Sequence, residues 1–284
     1  MELNNVQQTD FDAYVHAIFQ SEGNILKDSA RERLNVIGNT EQFRKSNQVV
    51  ATQKAPQDAL TVLNMRFDPV IATLTNWSAP DFVNIFEETD VNFNAGREVA
   101  EGVARAINRR QDQMYIDALD ASATTNVVAH GGTGFDFNKF QKAIELLAAN
   151  AASRGMIYCA FSAAAQRQAL GQEKFTSQFY VNYKPIAGGQ GSNACGLDGQ
   201  QIQNVHFRLI PDNMLEGGLP IAGDIRTCFM WNRDALGFAS SRLAKTDMQW
   251  QGLYECWLIN ARIKAGAVAV DDTGIVKIEI DETV

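Results

Sequence analysis

The stretch EVAEGVARAINRRQDQMYIDAL (98–119) has the periodicity of one long helix that is polar at its centre. Apolar side chains recur at steps of three or four residues, as on one face of an amphipathic helix. The residues from Asn108 to Gln113, called the waist below, are all polar. Such a helix spans about 35 Å, and a compact fold would normally cover its centre with core. We therefore predict a helix from about Asn94 to Leu119 that is covered at its ends and exposed at its waist.

The part of the chain before this helix offers little material for a core. Residues 10–20 (DFDAYVHAIFQ) predict a short helix with one apolar face, capped by Asp10. This face consists of Phe11, Tyr14, Val15, Ile18 and Phe19. Residues 21–66 are mostly polar and too long for an ordinary loop of a compact domain. This stretch is therefore either disordered, or an arm and an extended hairpin that pack on another molecule.

The remainder of the chain mixes helices and strands without the regular βαβ order of a nucleotide-binding sheet. A second helix is predicted from Asn138 to Ser153, with Asp136 near its start, and a third, capped by Ser162, ends at Gly171. The inward face of the second helix is predicted to consist of Phe140, Ile144, Leu147 and Ala151. Strands are predicted at 82–94, 156–161, 202–210, 225–231 and 275–280, with one long strand within 248–270. This pattern predicts an α+β fold with mostly antiparallel strands.

Charge and cysteine content narrow the class of protein. The formal net charge of −8 argues against tight binding of nucleic acid, because such binding depends on clustered Lys and Arg. The amino terminus lacks the pattern of a secretion signal, and no stretch approaches the roughly 18 apolar residues of a membrane span. The four cysteines include no CxxC pair, so we expect buried free thiols in a reducing compartment. We therefore expect a protein made in the cytoplasm.

The sequence contains no convincing catalytic or cofactor site. The three histidines, His16, His130 and His206, lie in unrelated settings, and neither HExxH nor GxSxG occurs. The stretch VVAHGGTGFDFNKF (127–140) has the strand, glycine loop and helix order of a phosphate-binding loop, but lacks GK[ST] and the GxGxxG spacing. We expect a flexible loop there and a solvated turn at the acidic residues Glu87, Glu88 and Asp90. No catalytic residue, metal ligand or cofactor is assigned.

The order of these segments resembles that of tailed-bacteriophage major capsid proteins with the Hong Kong 97 type fold. The run EVAEGVARAINRRQDQMYIDAL before a glycine loop resembles the spine helix of that family. The stretch FNKFQKAIELLAANAASRGMIYCAFSAAAQRQAL is similar to its helix, strand and helix segment, and CGLDGQQIQNVHFRLIPDNM to its axial-domain strand. TCFMWNRDALGFASSRL and ARIKAGAVAVDDTGIVKIEI are similar to its closing strands. The resemblance covers roughly residues 25–284.

The resemblance implies a division of the chain into four parts. Residues 1–38 would form an amino-terminal arm over a neighbour, and residues 39–85 an extended hairpin loop (E-loop) that reaches over the adjacent subunit. Residues 86–157 and 241–284 would form the peripheral domain with the spine helix. Residues 158–240 would form the axial domain, whose loops point to the centre of a hexamer or pentamer. In this arrangement the waist would meet solvent, packaged DNA or another subunit.

The resemblance also implies a structural role without enzymatic activity. The chain would self-assemble into the hexamers and pentamers of an icosahedral shell around packaged double-stranded DNA, which it would touch by weak, non-specific contacts. Further partners would be a portal protein and a scaffold or decoration protein, with no membrane involved. The protein would reside in the virion after assembly in the host cytoplasm. Candidate subunit-interface residues are Phe11, Tyr14, Ile18, Phe19, Arg109 and Arg110.

Two alternatives remain open at this point. An encapsulin-like compartment resembles the same fold but holds an enzyme cargo instead of a genome. A small-molecule enzyme would use the loop from Gly131 to Gly134. The enzyme predicts a discrete low oligomer that is stabilised by a phosphate or nucleotide ligand, whereas a shell protein predicts assembly and no such response.

Overall fold

The computed structural model describes residues 23–84, 95–176, 196–213 and 215–284. Its helices are α1 (Ala95–Asp120), α2 (Phe137–Ala149), α3 (Ala163–Leu170) and α4 (Glu173–Thr176). Its strands are β1 (Arg31–Leu34), β2 (Thr40–Ser46), β3 (Phe67–Thr73), β4 (Thr75–Asn84), β5 (Val127–Val128), β6 (Ile157–Phe161), β7 (Gln201–Ile202), β8 (Val205–Leu209), β9 (Ile221–Ala222), β10 (Ile225–Asn232), β11 (Leu236–Gln251), β12 (Cys256–Ala269) and β13 (Ile275–Asp281). Among these residues no helix combines the length and apolar character needed to cross a membrane.

The long helix α1 packs across a four-stranded sheet with the strand order β1-β11-β12-β4. The helix spans Ala95–Asp120, which confirms its predicted extent, while its expected cap at Asn94 lies outside the described residues. Strands β11 and β12 form a long antiparallel hairpin, and β1 joins β11 in parallel. The segment 248–270 was predicted to hold one long strand. Strand β12 confirms this, and the segment also contains the end of β11 and a turn with Glu255 at φ +48°.

A second, larger sheet has the order β5-β13-β10-β6-β8-β7, with β9 beside β10. Its β6 is buried at every position, and pairs with β10 and β8 on either side. The predicted strand 202–210 is wrong as a single element, because the chain reverses at Gln203 and Asn204, which both have positive φ and join β7 to β8 as a tight hairpin. Antiparallel pairs predominate among the described strands, and the α+β class is confirmed.

The helices beside this sheet begin where the sequence predicts and one ends early. Ser162 accepts a hydrogen bond from Ala165 N–H, so the predicted N-cap is confirmed. Asp136, predicted near the start of α2, is its N-cap and accepts from Lys139 N–H. Helix α2 ends at Ala149 rather than Ser153, because Ala151 adopts φ +57° and the chain turns away. The predicted inward position of Ala151 is therefore wrong. Phe140 and Leu147 are buried as predicted, and Ile144 is half-buried.

Most buried side chains form one core between α1, the helices and the two sheets. A second, smaller core lies under the base of the β2–β3 hairpin and consists of Val36, Phe43, Ala72, Leu74, Ala239 and Val270. Cys159, Cys228 and Cys256 are buried and free, as expected, and burial raises the pKa of the Cys228 thiol to about 12. Cys195 lies outside the described residues.

Candidate functional site

The β2–β3 hairpin exposes apolar side chains on a long extension. The two strands pair from Thr40 opposite Thr73 to Ser46 opposite Phe67. Beyond them, residues 48–65, called the hairpin extension below, are exposed except at Val49. Val50, Leu60 and Val62 are 82%, 80% and 76% exposed. Burying an aliphatic side chain of this size contributes about 1.5–3 kcal/mol of favourable free energy. The exposed side chains of the extension would therefore stabilise a contact with another molecule.

The base of this hairpin is fixed to the body of the subunit. Phe43 is 2% exposed and packs against Gly237, where an added Cβ would lie 2.9 Å from the Phe43 ring. Lys45 Nζ lies 2.7 Å from Asp271 Oδ1. The pKa of Asp271 is lowered despite partial burial, because Lys45 and Thr273 donate hydrogen bonds to its carboxylate. The extension therefore projects from an anchored base.

A second exposed apolar patch lies where the β11–β12 turn meets the end of β4. We call it the sheet-tip patch, and it consists of Phe82, Met248, Trp250, Leu253 and Tyr254. Leu253 is 85% exposed, and the rings of Phe82 and Tyr254 lie 6.1 Å apart. A cavity of about 530 Å³ opens between Phe82, Asn84, Tyr254 and Cys256. This patch is the second surface on which another molecule could bury apolar area.

The waist of α1 is covered, so the prediction that it is exposed is wrong. Arg109, Asp112 and Gln113 are 8%, 0% and 6% exposed. The cover is the chain's own amino-terminal segment, which begins in the structure at Gly23 and lies directly against Asn108 and Arg109. This segment supplies backbone donors to the polar helix face, which is why a polar waist can lie inside the fold.

Asp112 is the polar centre of this contact. Ile25 N–H donates to its Oδ2 at 3.0 Å, Leu26 N–H donates to its Oδ1 at 3.1 Å, and Asn24 contributes a further backbone hydrogen bond. Burial raises the pKa of Asp112 to about 6, although these donors act in the opposite direction. A raised folded pKa means that this group stabilises most below pH 3.8 and that the contribution is lost as the pH rises through 6. Keeping the carboxylate ionised at neutral pH therefore costs about 3 kcal/mol.

The other polar residues of the waist contact distant parts of the same chain. The Arg110 guanidinium lies 3.9 Å from the centre of the Trp77 ring and 3.5 Å from Glu216 Oε2. Gln113 accepts a hydrogen bond from Gly218 N–H at 2.8 Å and donates to Asp117 at 2.7 Å. The waist thus connects β4, the 216–218 loop and the amino-terminal segment.

The predicted interface residues divide into two groups. Phe11, Tyr14, Ile18 and Phe19 lie outside the described residues, and their role stays a prediction. Arg109 and Arg110 lie on the covered waist, and Arg110 has a clear role within the subunit. The interface role of these two arginines likewise stays a prediction. Sequence patterning missed the sheet-tip patch, although the aromatic residues around the turn at 251–255 were a usable signal.

The glycine loop before α2 is organised around a lysine rather than an anion. Lys139 Nζ donates to the carbonyls of His130, Thr133 and Glu279 at 2.7, 2.7 and 3.0 Å. Burial lowers the pKa of Lys139 despite several nearby carboxylates. Amide N–H groups at the start of α2 already donate to Asp136, Gln168 and Gln172 side chains. Converging carbonyls and occupied N–H groups disfavour phosphate binding here, and with it the enzyme alternative.

We expect Lys139→Met to lower the free energy of unfolding of the subunit by about 2–3 kcal/mol, because the carbonyls of His130, Thr133 and Glu279 would each lose one hydrogen bond. Urea unfolding of the unassembled subunit measures this change. Lys142→Met is the matched control on the same helix. Its side chain is 52% exposed and pairs with Glu145, so a change within about 0.5 kcal/mol is expected. Equal effects of the two variants would contradict the role of Lys139.

The described residues bring together no group of three or more His, Cys, Asp or Glu side chains that could hold a metal ion. His206 stacks on Tyr158 with ring centres 5.3 Å apart, and burial and Arg208 lower its pKa. His130 caps its own glycine turn by accepting from Gly132 N–H at 3.1 Å. His16 and the acidic residues Glu87, Glu88 and Asp90 lie outside the described residues. The described histidines thus have structural contacts.

Comparison with known proteins gives one family and several similar folds. The family model described as phage capsid protein matches residues 3–282. No curated protein matches the sequence. The head structure of Helicobacter pylori bacteriophage KHP40 is similar with a TM-score of 0.75 at 10% identity, covering 99% of both chains. The capsid of cyanophage P-SCSP1u has a TM-score of 0.73 at 14% identity, covering 97% of this chain and 93% of that one. A structure of Mycobacterium phage Che8 has a TM-score of 0.69 at 16% identity, covering 99% of both.

Proposed function

Because this chain belongs to the phage capsid protein family, it is a structural subunit of a phage capsid shell, and we propose that its copies tile as hexamers and pentamers around packaged double-stranded DNA. The fold is of the Hong Kong 97 type, with α1 as its spine helix. The protein resides in the virion. We further propose that it assembles in the host cytoplasm.

The observation that carries the tiling proposal is the anchored hairpin with its exposed extension. The apolar side chains of Val50, Leu60 and Val62 are exposed to water in the single subunit, whereas Phe43 at the base is buried. A rigid base with an apolar extension suits a contact that covers an adjacent copy. The sheet-tip patch offers a second such contact. Several modest interfaces per subunit add through multivalency, while each remains weak enough to correct errors during assembly.

The four-part division of the chain remains part of this proposal. Residues 1–38 act as the arm, 39–85 as the hairpin loop, 86–157 and 241–284 as the peripheral domain, and 158–240 as the axial domain. Two observations refine the picture. Residues 75–84 pair with β12, so β4 extends the sheet of the proposed peripheral domain. Residues 23–34 are held on their own subunit by Asp112 and by pairing of β1 with β11, so this part of the proposed arm contacts its own body.

We propose that the shell contacts its DNA weakly and without sequence preference. The net charge of −8 supports this, because a container for DNA neutralised by small cations needs no strong affinity for it. The further partners in the proposal are a portal protein and a scaffold or decoration protein. The proposal assigns no catalytic residue and no cofactor. Phage capsid proteins are structural, and the glycine loop is occupied by Lys139.

Electron microscopy of the purified, overexpressed chain tests the proposal. We expect shells, tubes, or hexameric and pentameric capsomers at high protein concentration. A monodisperse monomer or dimer under the same conditions would contradict it. An encapsulin-like compartment would also form shells, so its test is separate: neighbouring genes for a terminase and a portal favour the viral shell, and a neighbouring cargo enzyme gene favours the compartment.

A further inference from the structure

Gly23, the first described residue, lies directly against the middle of the spine helix. Gly23 has φ +76°, and a Cβ at this position would lie 2.5 Å from the backbone carbon of Asn108 and 2.6 Å from Arg109 N. A side chain is therefore excluded both by the backbone conformation and by the helix surface. The chain must pass the middle of α1 in direct backbone contact.

Directly after Gly23, a buried carboxylate holds the backbone. Asp112 is fully buried and uses one carboxylate oxygen for Ile25 N–H and the other for Leu26 N–H. The segment continues into the core, where Leu26, Ser29 and Ala30 are fully buried. Trp231 Nε1–H donates to Ser29 O at 2.9 Å, and β1 then pairs with β11. Residues 23–34 are thus attached to the spine helix and to both sheets.

We propose that Gly23 and Asp112 form a socket that fixes residues 23–26 on the spine helix, and that assembly with a neighbouring copy requires this fixed position at the base of the proposed arm. The inference rests on the proposed shell function and adds two positioning residues to it. An arm that starts from a fixed point and direction reaches the same place on every neighbour, which a regular shell requires. A retained buried charge is consistent with this role, since a polar anchor specifies one geometry where an apolar one would allow several.

Because Asp112 is charged, its effect on assembly can be tested separately from its effect on the stability of the subunit. Replacing Asp112 by Asn removes the unfavourable buried charge but leaves one oxygen acceptor for the backbone donors of Asn24, Ile25 and Leu26. The relief of desolvation and the loss of one hydrogen bond act in opposite directions. The thermal stability of Asp112→Asn should therefore change little, whereas the hold on the arm should weaken.

The test is hydrogen exchange of the unassembled full-length chain together with its assembly yield. In Asp112→Asn we expect the Ile25 or Leu26 amide to exchange about tenfold faster. We expect the melting temperature to shift by no more than about 4 °C. The yield of regular shells by electron microscopy should fall at least tenfold at temperatures far below melting. Asp120→Asn is the control on the same helix, because its side chain is 52% exposed, and its yield should stay at the wild-type level.

A second pair of variants tests the socket if Asp112→Asn does not fold. Gly23→Ala meets both a positive φ and the α1 backbone, whereas Gly38→Ala has φ +110° but nothing within 4 Å. We expect Gly23→Ala to reduce shell yield and to speed exchange at Ile25, and Gly38→Ala to leave both unchanged. Unchanged exchange in both socket variants would overturn the proposed geometry. Faster exchange with a normal yield of regular shells would show that the socket holds the segment but that assembly does not require it, which would overturn the proposed role in assembly. A wild-type chain that never assembles would instead overturn the proposed function.

Discussion

Replacing the hairpin extension, residues 48–65, by an Asn-Gly turn is expected to abolish shell assembly and to leave the free energy of unfolding of the subunit nearly unchanged. The extension contributes none of the buried side chains of either core. The hairpin is closed by its own strands and by Asn47, whose side chain accepts from Arg66 N–H at 2.7 Å. A two-residue turn of this kind suits the twist of an antiparallel hairpin. Urea unfolding and electron microscopy on the same preparation measure the two effects.

The apolar content of the extension can be tested without shortening it. In the triple variant Leu60→Ser, Val62→Ser, Leu63→Ser we expect assembly to weaken at least tenfold, since each side chain would lose about 1.5 kcal/mol or more of burial against a neighbour. The matched control changes Thr52, Gln53 and Lys54 to Ser, which alters the same exposed segment without removing large apolar groups. Normal shells from the chain in which residues 48–65 are replaced by Asn-Gly would show that assembly does not depend on a contact made by the hairpin extension.

Local patterns predicted local structure well. The period of three to four residues located α1 to within about one residue of its observed ends. Ser162 was identified as a cap, and Asp136 was placed near the start of α2, because a short polar side chain satisfies the free N–H groups of a helix start. The continuous apolar run at 156–161 predicted the buried strand β6. Each of these features depends on residues that are close together in the sequence.

Features that depend on distant partners could not be predicted in the same way. The waist was predicted to be exposed because it is polar, but Asp112 is buried against Leu26, 86 residues away. Gln113 is satisfied by Gly218, 105 residues away. Backbone N–H groups of a remote segment leave no trace in the side-chain pattern. The pattern identified an unusual surface on α1, and the structure shows that the surface is internal.

One long-range contact did leave a signal that the pattern analysis missed. Gly266 lies within β12, and a Cβ there would overlap the Thr73 carbonyl oxygen. Glycine in the middle of a strand often indicates close approach of another backbone. Here it marks the place where the end of the hairpin crosses the sheet. Together with Gly237 beneath Phe43, it indicates that the hairpin base is built to contact its own sheet.

Deleting residues 1–22 is expected to abolish regular assembly while the subunit still folds, and deleting residues 1–30 is expected to unfold it. The shorter deletion keeps Gly23 and the partners of Asp112. The longer one removes the buried Leu26, Ser29 and Ala30, and with Ser29 the carbonyl that accepts from Trp231 Nε1–H. A lost buried leucine costs about 2–5 kcal/mol, and a buried donor left without its acceptor about 1–3 kcal/mol. Their sum is comparable with the whole stability of a typical domain, about 5–15 kcal/mol.

Thermal unfolding and electron microscopy of the two deletions locate the boundary between the arm and the body. We expect the melting temperature to stay within about 4 °C of wild type for the first deletion, and cooperative unfolding to be lost for the second. A stable fold after removal of residues 1–30 would mean that the segment is not part of the core. Regular shells after removal of residues 1–22 would mean that the interface at Phe11, Tyr14, Ile18 and Phe19 is dispensable.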